Sequence, residues 1–196
     1  MNITPEKLDE LIRIVHLAGV EIVNIYKKKV TKKSAKKNIV VETNKGNITI
    51  ELLNGLAPNH CKRILQLSKD KFFDDVVFHR VIDGFMAQTG DGQFGSLKNG
   101  LQSDRVGMGG SDLPDLEAEF TSEPFARGIV GMARSQNPNS ANSQFFIMFQ
   151  PAPHLDNNYT VFGKVSSGMD VLSKIKKGDL KRNGAVDNPD FMKKVY

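Results

Sequence analysis

The spacing of apolar residues changes once along the chain, near Asn38. Ahead of that point Leu8, Leu11, Ile12, Val15, Ile22 and Ile25 recur at intervals of three and four, apart from a gap near Ala18–Gly19. That spacing is one face of a helix, predicted over 5–29. Thr4 stands as N-cap, Pro5 as first helical residue, and Glu6 at the positive end of the dipole. The stretch KKKVTKKSAKKN then reads as a solvated linker. Beyond Asn38 the period falls to two. IVVET and GNITIEL alternate around a turn at Asn44–Gly46, which predicts a hairpin. A short helix is predicted over 57–69, then strands at VVFHRVI and FMAQ. A polar, glycine-rich stretch runs from about 90 to 118. Apolar runs follow at 129–133, 144–149 and 160–165, then a second short helix over 168–177 and a last strand at FMKKVY. Many short strands, two short helices and no βαβ rhythm predict a mainly β fold, a closed antiparallel barrel or a sandwich. The organisation is therefore residues 1–37, a helix and lysine-rich linker, and residues 38–196, one β domain.

Composition narrows the function classes. A chain of 196 residues with 39% apolar content can bury a core without covalent staples. Cys61 is its one cysteine, which excludes an internal disulfide and suits a reducing compartment. His16, His60, His79 and His154 lie far apart, so no metal-ligand spacing is present. No window approaches the ~20 apolar residues of a membrane-spanning helix. Asp9, Glu10, Arg13, His16 and Glu21 interrupt any signal-peptide core. The expected location is cytoplasmic. The net charge of +5 is confined to the front: residues 1–37 hold nine Lys or Arg against four acids, and the 18 basic and 18 acidic groups that remain cancel. The charge thus says nothing about partners of the β domain.

Four motifs carry the chemistry: FHRVIDGFMAQTGD, GIVGMARS, NSQFFIMF and YTVFGKV. In order and spacing they resemble a cyclophilin, a peptidyl-prolyl cis/trans isomerase. The versions SQNPNSANSQFFIMF and PHLDNNYTVFGKV resemble a bacterial, proteobacterial-like branch. The resemblance covers roughly residues 39–196. It implies a closed eight-stranded antiparallel barrel capped by two α-helices, with the 5–29 helix as an extra. A small barrel's interior is packed with side chains, so the site must lie on its outer face.

The reaction that the resemblance implies needs no metal or cofactor. An X–Pro bond isomerises over a barrier of about 20 kcal/mol, taking tens to hundreds of seconds unaided. In the planar amide the nitrogen lone pair is delocalised; in the twisted transition state it is localised and accepts a hydrogen bond. A fixed donor aimed at that nitrogen favours the transition state over both ground states. Arg80 matches the family's catalytic arginine, and a guanidinium is a rigid, permanently charged donor. Gln88 matches the glutamine that holds it and bonds the substrate backbone. Phe85, Met86, Phe146 and Leu155 match the apolar wall for the proline ring. Ala133, Arg134 and Gln144 match positions along the substrate groove, and His79 and Tyr159 complete the rim.

Some positions depart from the common pattern. His154 stands where eukaryotic members often carry Trp, which argues against strong binding of the cyclic peptide cyclosporin. Tyr159 replaces the usual pocket His, and Arg134 replaces Asn. The implied partners are proline-containing peptides and unfolded or flexible protein clients. A pure peptide-binding module is the alternative. The Lys27–Lys37 segment, seven lysines in eleven residues, suits weak contact with nucleic acid or an anionic surface, although no aromatic residue interleaves it for base stacking.

Overall fold

The computed structural model describes residues 37–196. The helix predicted over 5–29 and the linker up to Lys36 lie outside the described residues. Nine strands make a single antiparallel sheet: β1 (Lys37–Thr43), β2 (Gly46–Leu52), β3 (Val76–Val77), β4 (Arg80–Ile82), β5 (Met86–Thr89), β6 (Ile129–Met132), β7 (Phe145–Met148), β8 (Val161–Ser167) and β9 (Phe191–Val195). Their order is β3-β9-β1-β2-β8-β6-β7-β5-β4. Two helices accompany it, α1 (Pro58–Lys69) and α2 (Met169–Lys174). Among the described residues no helix is long and apolar enough to cross a membrane.

Nine strands stand where eight were expected. VVFHRVI, read as one strand, is broken at Phe78–His79, so its halves become the two edges of the sheet, β3 against β9 and β4 against β5. Because only two residues separate those edges, the sheet must curl until its ends come near one another. The break has a local cause. Phe78 donates its N–H to the Asp190 carbonyl, while Val81 donates to Gly184, so the two halves bond to different segments.

Alternation along the strands divides the apolar residues into two clusters. Inward-facing Val41, Ile48, Ile50, Val81, Ala87, Val130, Phe145, Ile147 and Phe162 are all at most 1% exposed and fill the main core with α1 and α2. The neighbouring positions Met86, Ile129, Phe146, Met148 and Val161 point the other way and build a second cluster on the outer face, with Phe125, Ala152 and Leu155. A fold with a single packed face would leave those positions polar; here an apolar surface outside the core is already a sign of a site.

Helix α1 begins at Pro58, whose missing N–H costs nothing there. Its free amides are capped from afar: Asn59 and His60 donate their backbone N–H groups to the Glu119 carboxylate at 3.2 and 3.1 Å, and His60 Nδ1 lies 2.6 Å from the same group. Arg63 donates to the carbonyls of Asn142 and Pro114. These bonds pin the long polar stretch onto the helix. Helix α2 is shorter than the predicted 168–177. Ile175 turns extended and buries its side chain in the core, Lys176 donates its N–H to Asp190, and Gly178 donates to Val81. These tertiary bonds outcompete another helical turn.

Candidate active site

Strand register puts four residues abreast. Arg80 pairs with Gln88, Gln88 with Phe146, and Phe146 with Gly131, so β4, β5, β7 and β6 each contribute one residue to a row across the outer face. The next row holds Ile82, Met86 and Met148. Above them opens a hollow of about 130 Å³, lined by Arg80, Phe85, Met86, Gln88, Ala133, Arg134, Phe146, Leu155 and Tyr159. The Arg80–Gln88 end of the hollow is cationic and hydrogen-bonding; apart from Arg134, the rest is apolar and aromatic.

The apolar floor is built by stacking. Phe146 lies on Phe125 with ring centroids 5.6 Å apart and planes 24° apart, and the Tyr159 ring meets Phe146 edge-on at 5.7 Å. Gly131 makes this possible: a Cβ there would lie 2.6 Å from atoms of both Phe125 and Phe146. Arg134 closes the far rim. Its guanidinium sits 4.5 Å over the Tyr159 ring and donates to the Asn158 and Ser135 carbonyls. His154 is exposed and tilted against Phe85, with centroids 5.6 Å apart.

The polar end is a chain of amides. Arg80 Nη1 donates to Gln88 Oε1 at 3.2 Å, Gln88 Nε2 to Gln144 Oε1 at 3.0 Å, and Gln144 Nε2 to the carbonyls of Gly107 and Gly109 at 2.9 and 2.8 Å. Gln144 thus sits outside the first hollow, in an adjoining one of about 250 Å³ bounded by Gly107, Met108, Gly109 and Asn142. Burial pushes the Arg80 pKa down from its ordinary value, with the Tyr159 phenol opposing; an arginine keeps its charge under such a shift.

Residues 38–196 match the family model described as "Cyclophilin type peptidyl-prolyl cis-trans isomerase/CLD". The chain belongs to this family. Its activity is therefore peptidyl-prolyl cis-trans isomerisation. It is 57% identical over 152 residues to a probable peptidyl-prolyl cis-trans isomerase of Brucella suis, covering 78% of each chain. It is 38% identical over 159 residues to a Dictyostelium discoideum isomerase, covering 79% of this chain and 94% of that one. Among solved structures, a cyclophilin from Hirschia baltica superposes with a TM-score of 0.69 at 26% identity, covering 82% of this chain and 73% of that one. A Cryptosporidium parvum cyclophilin-type isomerase, solved in the presence of the dipeptide Ala-Pro, gives 0.69 at 28% identity, covering 81% and 97%.

In this cyclophilin one rim residue expected from the motif stands elsewhere. His79 does not line the hollow. It is 7% exposed and faces a separate cavity beside Val106, Val186 and Phe191, because successive residues of an extended chain point to opposite faces. Neither ring nitrogen completes a well-formed hydrogen bond, although the Val77 backbone and the Gln144 side chain approach the ring closely enough to oppose part of the burial-driven pKa shift. Burial pushes its pKa from 6.5 down to about 4, with Asp91 opposing and Arg80 reinforcing the shift. Between those values the unfolded chain binds the extra proton, so stability falls as pH falls. From pH 7 to pH 5 this group alone should remove about 2 kcal/mol. Urea denaturation at both pH values checks this. His79→Gln should flatten the dependence by that amount, and an unchanged dependence would contradict the assignment.

Three contributors escaped the motif reading. Phe125 supports Phe146 from beneath; its one trace in the sequence is a glycine, Gly131, inside an apolar strand. Asp91 is fully buried and organises the loop that carries Gly107 and Gly109. Asn183 meets the Arg80 guanidinium from a turn more than a hundred residues away.

Proposed function

We propose that the hollow seats the pyrrolidine ring of an X–Pro segment and that Arg80 donates a hydrogen bond to the prolyl nitrogen as it loses conjugation. The observation that carries this reading is the row Arg80–Gln88–Phe146, which sets a cationic donor one strand away from an aromatic floor. Of the five guanidinium protons, three are committed, to Gln88 and twice to Asn183. One proton on each Nη is left for a ligand. A charge-assisted bond of this kind is worth about 1.5–3 kcal/mol, or roughly ten- to a hundredfold in rate. The remaining acceleration comes from holding the peptide twisted against a partly dry wall.

Gln88 orients Arg80 and offers its amide to the substrate backbone. Phe85, Met86, Phe146 and Leu155 receive the ring. Ala133, Arg134, Gln144 and Tyr159 guide the flanking chain. The substrates are proline-containing peptides and flexible or unfolded protein segments, so the activity assists folding. The Ala-Pro dipeptide named with the Cryptosporidium parvum relative supports that substrate class. We assign catalysis to residues 38–196 and read β3 and β4 as one interrupted strand of an eight-stranded closed barrel. Cys61 is the one cysteine in the chain, which suits work in a reducing cytoplasm; burial pushes its thiol up to about 12, so it is unreactive.

Two-dimensional exchange NMR on an Ala-Pro-containing peptide tests the reading. Catalytic amounts of the protein should produce cis/trans exchange peaks, and Phe85, Met86 and Phe146 should shift on titration. Peaks that move only at distant residues would overturn the assignment of the hollow.

A further inference from the structure

The turn after α2 holds a residue that no motif singles out. We propose that Asn183 is a positioning residue for the isomerisation, fixing the Arg80 guanidinium in the orientation from which it donates. The inference rests on the reading of Arg80 as that donor. Asn183 accepts twice: its backbone carbonyl takes Arg80 Nε–H at 3.0 Å, and its side-chain Oδ1 takes an Nη2 proton at 3.0 Å. Gln88 holds Nη1. A bond from Gln88 alone would leave a long, flexible side chain free to swing about one contact. With Asn183, all three nitrogens are held, and the uncommitted protons are confined to the two Nη atoms.

Asn183 can do this because its own placement is over-determined. It sits in the left-handed region at φ 54°, a conformation that Asn tolerates better than most residues. On either side the turn is bound to the residue next to Arg80: Val81 donates to the Gly184 carbonyl and accepts from Gly178, both at 2.8 Å. Gly184 and Asp179 close the turn on each other, and Arg182 bridges Asp179 and Asp187. There is no room for slack. A Cβ on Gly178 would lie 1.9 Å from the Gly184 carbonyl oxygen, and one on Gly184 would lie 2.4 Å from Ile82 Cγ1. The turn and β4 therefore move as one, and Asn183 is carried in register with Arg80.

The test is a double-mutant cycle in full-length protein, read as kcat and KM for an X–Pro peptide. Asn183→Gly is the informative change, since glycine adopts the left-handed conformation without strain and only Oδ1 is lost. The expected fall in kcat is about three- to tenfold, with KM within about twofold, because the lost bond serves the transition state. In the Arg80→Ala background Asn183→Gly should have no further effect. Asn183→Asp, which restores an acceptor, should recover the rate. A wild-type rate for Asn183→Gly beside a slow Arg80→Ala would overturn the inference and leave the donor reading standing. An equal loss in both backgrounds would reduce Asn183 to a structural role and overturn it too. A wild-type rate for Arg80→Ala would instead remove the donor reading on which the inference rests.

Discussion

Arg80→Ala should lower kcat/KM on an X–Pro peptide by about a hundredfold, near the upper limit for one charge-assisted donor. Its thermal midpoint should stay within a few degrees of wild type. The side chain is half-buried on the outer face, and no core residue packs through it. Its partners Gln88 and Asn183 can turn to water when it is gone. Arg80→Lys should recover little. An ammonium cannot bond Gln88 and Asn183 at three separate nitrogens and still present two directed protons to a ligand. A coupled-protease assay at low temperature reads the rate, and calorimetry reads the midpoint. A variant that is both slow and unfolded would say nothing for the donor, so the two readings belong together.

Asp91→Ala should cost about 3–5 kcal/mol of stability, the range for stripping a buried carboxylate from several donors. Asp91 is fully buried and accepts four backbone N–H groups: Gln93 and Phe94 on Oδ1 at 3.1 and 2.9 Å, Gly107 and Gly109 on Oδ2 at 2.7 and 3.0 Å. Removing it orphans these donors. The loss should also reach the site. Gly107 and Gly109 present the carbonyls that anchor Gln144, and Gln144 holds Gln88, which holds Arg80. The folded fraction of Asp91→Ala should therefore turn over more slowly than wild type. Asp91→Asn keeps one acceptor oxygen but turns an NH₂ toward two of the N–H groups, so it should be destabilised as well. Urea denaturation gives the stability; a loss below about 1 kcal/mol would show that the loop is held by other means.

Much of this was legible because alternation is a local property. Each strand from β5 to β8 announces itself in a few residues, but the register row Arg80–Gln88–Phe146 needed the pairing of the strands themselves. The motifs also named the nine residues around the hollow. What alternation could not show was long-range. The break at Phe78–His79 depends on Asp190 and Gly184, and it turned one expected strand into two sheet edges. His79, next to Arg80 in an extended segment, faces away from the site, as alternation itself requires. Helix α2 ends early because Ile175 is drawn into the core and Lys176 to Asp190. Asn183 reaches Arg80 across 103 residues of chain. Glu119 caps a helix it follows by some sixty residues. None of these partners shares a window with the group it satisfies.

The central claim concerns a bond that exists only at the top of the barrier. The direct measurement is NMR line-shape analysis of an X–Pro peptide bound at saturation, yielding both the cis/trans rate within the complex and the peptide's Kd. The expected result for Arg80→Ala is a bound rate lower by about a hundredfold with Kd within about threefold of wild type, because a transition-state donor adds little to ground-state affinity. An unchanged bound rate, or a loss carried wholly by Kd, would contradict the account.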